Sequence, residues 1–369
     1  MSLFDCLSST AECNTDFKTN NSINTMNRGI KNVDSICYAS TSLHLLMLIP
    51  NIMKHIETII QKEDNDNDNG YSNDNKYIAV LWQFQQFVHQ YHDQLKDSEK
   101  NNSADIVILC ETLAEVEGQD FDEEISRDVV AFTQELLNAI NKSSLKNVLN
   151  LTELVGGEFI NEYKTECGKS RQTFESFYFL RFAPSKAIRD LHQALSEFTK
   201  GSSMKSQWKT IKQDENGNDI VHKESIDTNY CTRIKRLADH FFVHLKRFTI
   251  DYKTMTNEKV KSYFSFPLEL DMSPYFDIDD SSCSIYDLSG IIIHEGDSDD
   301  GHYYVIVKNC IADESDKQWL LIDDKHVEYF NINNLPNVAF GEIENDDDNV
   351  NVDEVEDQSA YLLLYQKRK

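Results

Sequence analysis

The spacing of apolar residues changes character near Leu151, and that change limits the folds open to the chain. From Cys37 through Ile49, the residues Leu43, Leu46 and Met47 share one helical face, and Pro50 follows where a helix must stop or restart. Tyr77 to Leu95 repeats the pattern with Leu81, Phe84 and Val88, and Arg127 to Ile140 does so with Val130, Phe132, Leu136, Leu137 and Ile140. Beyond Leu151 the texture is that of strands. Phe174 to Phe182 is rich in aromatics, Phe241 to Phe248 alternates in part, and Ile291-Ile292-Ile293 is β-branched. Tyr303 to Val307, Trp319 to Ile322 and Tyr361 to Tyr365 are further short apolar runs. Helices followed by strands, with no βαβ alternation, predict an α+β fold.

At 369 residues the chain can make one large domain or two ordinary ones, because single cores stop growing at about 250–300 residues. Residues 1–28 read as a polar leader without periodicity. Thr199 to Asn229, with Gly201, Asn216, Gly217 and Asn218, reads as an inserted polar loop or long hairpin connection. The runs Asp64 to Asn75, Asp297 to Asp300 and Glu342 to Asp357 are acidic or Asn-rich and read as solvated loops.

A net charge of -27 argues against nucleic-acid phosphates and acidic membrane surfaces as partners and favours basic ones. Eight cysteines without a CxxC pair do not form the framework of a small secreted scaffold and point to a reducing compartment. The opening residues show no basic stretch followed by an apolar one, and no run reaches the roughly 18 apolar residues of a membrane span. A soluble protein of the cytoplasm, the nucleus or both is expected.

Cys37 stands at the start of the first predicted helix. A cysteine there is ordinarily a small buried hydrophobe, but a helix N-terminus and a neighbouring imidazole both favour the thiolate that makes it a nucleophile. The stretch Gly301-His302-Tyr303-Tyr304-Val305-Ile306-Val307 places a histidine at the mouth of a strand, after a glycine and an acidic run. Trp319-Leu320-Leu321-Ile322 ends in Asp323 and Asp324, so an adjacent antiparallel strand can carry a carboxylate to the second nitrogen of the ring. Such a carboxylate fixes the tautomer and stabilises imidazolium.

Gly29-Ile30-Lys31-Asn32-Val33-Asp34-Ser35-Ile36-Cys37-Tyr38 resembles the cysteine box of ubiquitin-specific proteases. Tyr286 to Gly296, followed by Gly301-His302-Tyr303, is similar to their histidine box. Four weaker matches fall in the same order, at Arg127 to Phe132, Val243 to Phe248, Phe266 to Asp271 and Ser359 to Tyr365. Collinearity over nearly the whole chain carries the resemblance.

The resemblance implies a papain-like right-hand fold with a helical thumb, a β palm and β fingers. Residues 29–369 would form the catalytic domain, the thumb lying in about 29–150 and the fingers and palm in about 151–369. It implies hydrolysis of the bond after the C-terminal glycine of ubiquitin, with ubiquitin and ubiquitinated proteins as partners and no metal or organic cofactor. Cys37 matches the nucleophile, His302 the base and Asp323 the third member, with Asp324 as a substitute for geometry to decide. Asn32 matches the oxyanion-hole amide, although a turn asparagine is its ordinary reading. Asp128 matches an acid that meets the arginines of the ubiquitin tail, although an aspartate at a helix start is ordinarily a cap. Tyr303 follows the base and is expected at the substrate.

Two departures keep other readings open. The family usually has Gly-Asn-Thr where this chain has Asp34-Ser35-Ile36, and an acid where it has Ala131. A ubiquitin-binding adaptor with decayed chemistry, or a peptidase for another ubiquitin-like modifier, would fit the same motifs. Many relatives hold zinc on two CxxC pairs in the fingers, whereas here Lys164 and Cys167 occupy the first pair. Cys167 and Cys231 therefore read as ordinary fold cysteines, and His294 as structural.

Overall fold

The computed structural model describes residues 29–30, 35–54, 56, 76–96, 106–122, 124–143, 151–213, 219–276, 284–298, 301–309, 318–342 and 357–368. The leader, Asn32, Asp34 and most of the acidic runs named above lie outside these residues.

Among the described residues of the first part, the bounded helices are α1 (Cys37–Met47), α2 (Tyr77–Lys96), α3 (Ile106–Glu117) and α4 (Val129–Ser143), and residues 50–54 are helical as well. All residues of α1 are buried, so it is a central helix and not an amphipathic surface one. It packs against α4 and α3 on one side and the strands carrying the histidine box on the other. Ser42 and Thr133 share a hydrogen bond of 2.8 Å between α1 and α4, which satisfies two polar groups that this burial would otherwise strand. The helix α3 was not expected. Its apolar residues Ile106, Leu109, Cys110, Leu113 and Val116 bury one face at spacings of three and four, but short helices flanked by polar tracts are easily read as loop.

Among the described residues, the strands of the second part form two sheets and a hairpin. A four-stranded fingers sheet has the order β2 (Ser170–Phe177), β1 (Gly157–Thr165), β5 (Asp219–Leu237), β4 (Ser202–Gln213). The segment expected as an inserted polar loop or a long hairpin connection is the β4–β5 hairpin, paired from Ser202–Tyr230 to Gln213–Asp219. Its lack of apolar alternation follows from exposure, since most of its described residues face solvent. In the chain, β3 (Phe179–Phe182) and helix α5 (Leu191–Thr199) fall between β2 and β4, the helix capped by Asp190 Oδ1 accepting from Gln193 N at 2.8 Å.

The palm is an eight-stranded sheet that includes β3, β6 (His240–Leu245), β9 (Glu269–Asp271), β10 (Ile285–Gly296), β11 (Gly301–Lys308), β12 (Trp319–Asp323), β13 (His326–Tyr329) and β14 (Gln358–Lys367). Strands β7 (Phe248–Asp251) and β8 (Thr256–Lys259) form a separate hairpin, and a short helix α6 (Leu335–Ala339) precedes β14. Alternate residues of the palm feed two cores. Tyr303, Val305 and Val307 of β11 and Ile292 of β10 join the helices, while Tyr304, Ile306, Ile291 and Ile293 join a core on the opposite face with α5 and α6. A sheet covered on both faces needs these unbroken apolar runs. Helices first and sheets second make the fold α+β and papain-like.

Candidate active site

The histidine box is a β-hairpin, and its register fixes where the base stands. Glu295 of β10 pairs with His302 of β11, and Gly296 with Gly301. Gly301 has no room for a side chain, because a β-carbon there would overlap the ring of His294. Burial beside the Lys259 cation pushes His294 down to about 3, so its ring stays neutral and packs against Phe248, Tyr303 and Tyr361.

The structure brings Cys37, His302 and Asp323 together. Cys37 opens α1 with 3% of its surface exposed. Nε2 of His302 lies 2.6 Å from Oδ1 of Asp323, the last residue of β12. With Nε2 taken, Nδ1 is the nitrogen left to face the Cys37 thiol, the first influence on the proton of the ring. Cys37 first, and the hydrogen bond to Asp323 next, push His302 up to about 10 against the opposing effect of burial. The ring is thus held as imidazolium beside the sulfur.

His302, Asp323 and Asp324 have ligand atoms within 4.8 Å of one another, the spacing of a metal site. A protonated ring nitrogen bonded to Asp323 has no lone pair to offer a cation, so the cluster is better described as the acid–base pair of a hydrolase. Asp324 sits in a turn with φ 49, and its carbonyl meets Gly29 so closely that no side chain fits at Gly29. That contact draws the start of the cysteine box onto the turn that follows Asp323.

Asp128 uses both carboxylate oxygens within the protein. Oδ1 caps α4 by accepting from Ala131 N at 2.7 Å, and Oδ2 accepts from the hydroxyl of Tyr361 on β14. The second bond joins thumb to palm. Tyr361 lay inside a recognised stretch, yet its hydroxyl partner is 233 residues away and nothing local signals it. His244 packs on the Tyr361 ring and is pushed down to about 4 by burial, with Asp128 opposing. Tyr303 is 3% exposed and packs against His294 and Tyr361, so its ring supports the site from beneath.

The fingers residues do not fit a zinc site. Cys167 Sγ lies 3.2 Å from Thr165 Oγ1, and Cys231 Sγ donates to the Thr199 carbonyl at 3.3 Å, so each sulfur has its own separate partner. Lys164, at the position of a ligand, donates to Glu162.

A papain-like fold with a cysteine at the head of the central helix and a His–Asp pair on adjoining strands defines the class of papain-like cysteine peptidases. Within that class the chain belongs to the ubiquitin carboxyl-terminal hydrolase family, whose model matches residues 28–365. It is 25% identical over 344 residues to human ubiquitin carboxyl-terminal hydrolase 34, covering 85% of this chain and 9% of that protein. Ubiquitin carboxyl-terminal hydrolase 26 of Oryza sativa is 32% identical over 171 residues, covering 44% of this chain and 14% of that one. The chain thus spans about a tenth of the length of such relatives. A SAGA DUB module bound to ubiquitin aldehyde matches with TM-score 0.67 at 20% identity, over 97% of this chain and 73% of that one. The same module bound to monoubiquitin gives TM-score 0.65 at 20% identity, over 99% and 74%.

Proposed function

We propose that this chain is a thiol-dependent deubiquitinase that cleaves the isopeptide or peptide bond after the C-terminal glycine of ubiquitin. The observation that carries the reading is the juxtaposition of Cys37 with the hydrogen-bonded His302–Asp323 pair, in a chain of this family whose solved neighbours hold ubiquitin aldehyde and monoubiquitin. The thiolate attacks the carbonyl, His302 gives its proton to the leaving amine, and a thioester remains. The now neutral ring takes a proton from water as its oxygen attacks the thioester, the carbon–sulfur bond breaks, ubiquitin leaves with a C-terminal carboxyl group, and the thiolate–imidazolium pair is restored. Asp323 holds the ring throughout. Asn32 is the side-chain donor for the oxyanion, and Asp128 meets the basic tail of the substrate.

Ubiquitin is favoured over other modifiers with a diglycine end because the relatives and neighbours are named for it. A free thiol nucleophile needs reducing surroundings, which supports residence in the cytoplasm or nucleus. Hydrolysis of a fluorogenic ubiquitin C-terminal amide under reducing conditions tests the reading. Turnover lost in Cys37→Ala supports it. Ubiquitin binding without turnover would instead make the chain an adaptor, and turnover confined to another modifier would reassign the substrate.

A further inference from the structure

The base hairpin is clamped from outside by a buried cation that the reaction itself does not use. Lys259 closes β8, and the surface of its side chain is only 1% exposed. Its ammonium donates to the carbonyls of His294 at 3.0 Å, Gly296 at 2.8 Å and Asp357 at 2.8 Å, with Asp357 Oδ1 at 3.5 Å. Gly296 N also donates to the Asp357 carbonyl at 2.9 Å, so one knot ties the end of β10 to the start of β14. From the same β7–β8 hairpin, the Asn257 carbonyl accepts from Ser298 Oγ at 3.0 Å, and the Phe248 ring packs on His294. These ties bracket the turn that leads into Gly301 and His302, and the His294 ring bears directly on Gly301.

We infer that Lys259 is a positioning residue for the catalytic base: its buried ammonium holds the β10–β11 hairpin so that the His302 ring meets Cys37 and Asp323. Three strong acceptors converging on one ammonium leave it no other geometry, and a ring displaced by about an ångström loses much of its catalytic advantage. The inference rests on the deubiquitinase reading for its enzymatic readout alone.

The clamp has its own pH range. Burial lowers Lys259 to about 8, with Asp357 opposing and Arg247 and Lys261 adding to the fall. Glu342 and Asp297 act on Lys261, and His294 is neutral beside Lys259. Loss of the Lys259 proton near pH 8 precedes that of His302 near 10, so two separate alkaline events are expected.

The test compares wild type, Lys259→Met and Asp357→Asn by ubiquitin-amide turnover and by iodoacetamide labelling of Cys37, each from pH 6 to 10. Lys259→Met should lower kcat by about tenfold with KM changed less than about twofold, and slow labelling at pH 7. Asp357→Asn keeps the shape but removes the charge that holds up Lys259, so its first alkaline fall should move to lower pH while the plateau is retained. If the wild type does not cleave ubiquitin, slowed labelling in Lys259→Met and a shifted labelling profile in Asp357→Asn still support the clamp while the substrate reading fails. Unchanged labelling in Lys259→Met, or coincident profiles for wild type and Asp357→Asn, would overturn it.

Discussion

Nε2 of His302 and Oδ1 of Asp323 lie 2.6 Å apart across the β11–β12 pair, and the bond selects the first of two adjacent aspartates as the partner of the base. Asp323→Asn can hold the wrong tautomer, so kcat should fall by about a hundredfold or more. Asp324→Asn should retain most activity in the same steady-state assay, because its side chain is not the ring's hydrogen-bond partner in this pair. Equal losses in the two variants would assign the third role jointly.

The protonation of His302 provides a second check. Its folded value of about 10 lies above the ordinary histidine value of 6.5. The stabilisation from the raised value is therefore complete below about pH 6.5 and disappears as pH rises through about 10. NMR titration of the ring should find it protonated at pH 7 and losing its proton near 10, and earlier in Asp323→Asn. A midpoint between 6 and 7 in the wild type would contradict the charged pair.

Asp128 allows cap and substrate roles to be separated. Asp128→Ala removes the acceptor for Ala131 N and should destabilise the protein by about 1–2 kcal/mol in denaturant unfolding. Asp128→Ser keeps a cap without the charge. It should recover much of that stability while KM for ubiquitin stays raised. A KM that recovers together with stability would leave the residue a cap and a tie to Tyr361.

Gly29 is held against the Asp324 carbonyl with no space for a β-carbon. Gly29→Ala should move either the start of the cysteine box or the turn after Asp323. Activity should then fall several-fold further than the accompanying shift in melting temperature accounts for. Wild-type turnover would mean that the segment relaxes freely.

Much of the site was legible because its residues sit in local patterns. A cysteine at a helix head, a glycine–histidine at a strand mouth and an Asp-Asp after an apolar strand each carry a short-range signal. The palm was legible for a similar reason, since β10, β11 and β14 are buried on both faces and read as apolar runs. The strands of the β4–β5 hairpin were not, although a long hairpin connection was one of the two readings of that segment, because a fingers strand in solvent has no apolar face to report. Lys259 was equally silent. In sequence it is one of many lysines in a polar stretch, and its importance comes from three carbonyls contributed by β10 and the start of β14. Contacts of that kind leave no spacing behind.

The central claim is that Cys37, activated by His302, attacks the C-terminal carbonyl of ubiquitin. It is tested most directly by ubiquitin carrying a C-terminal electrophile, with the adduct located by mass spectrometry after digestion. A single stoichiometric adduct on Cys37, absent in Cys37→Ala and slowed in His302→Ala, is the predicted result. No adduct, or one on Cys110, Cys167 or Cys231 that persists in Cys37→Ala, would contradict it.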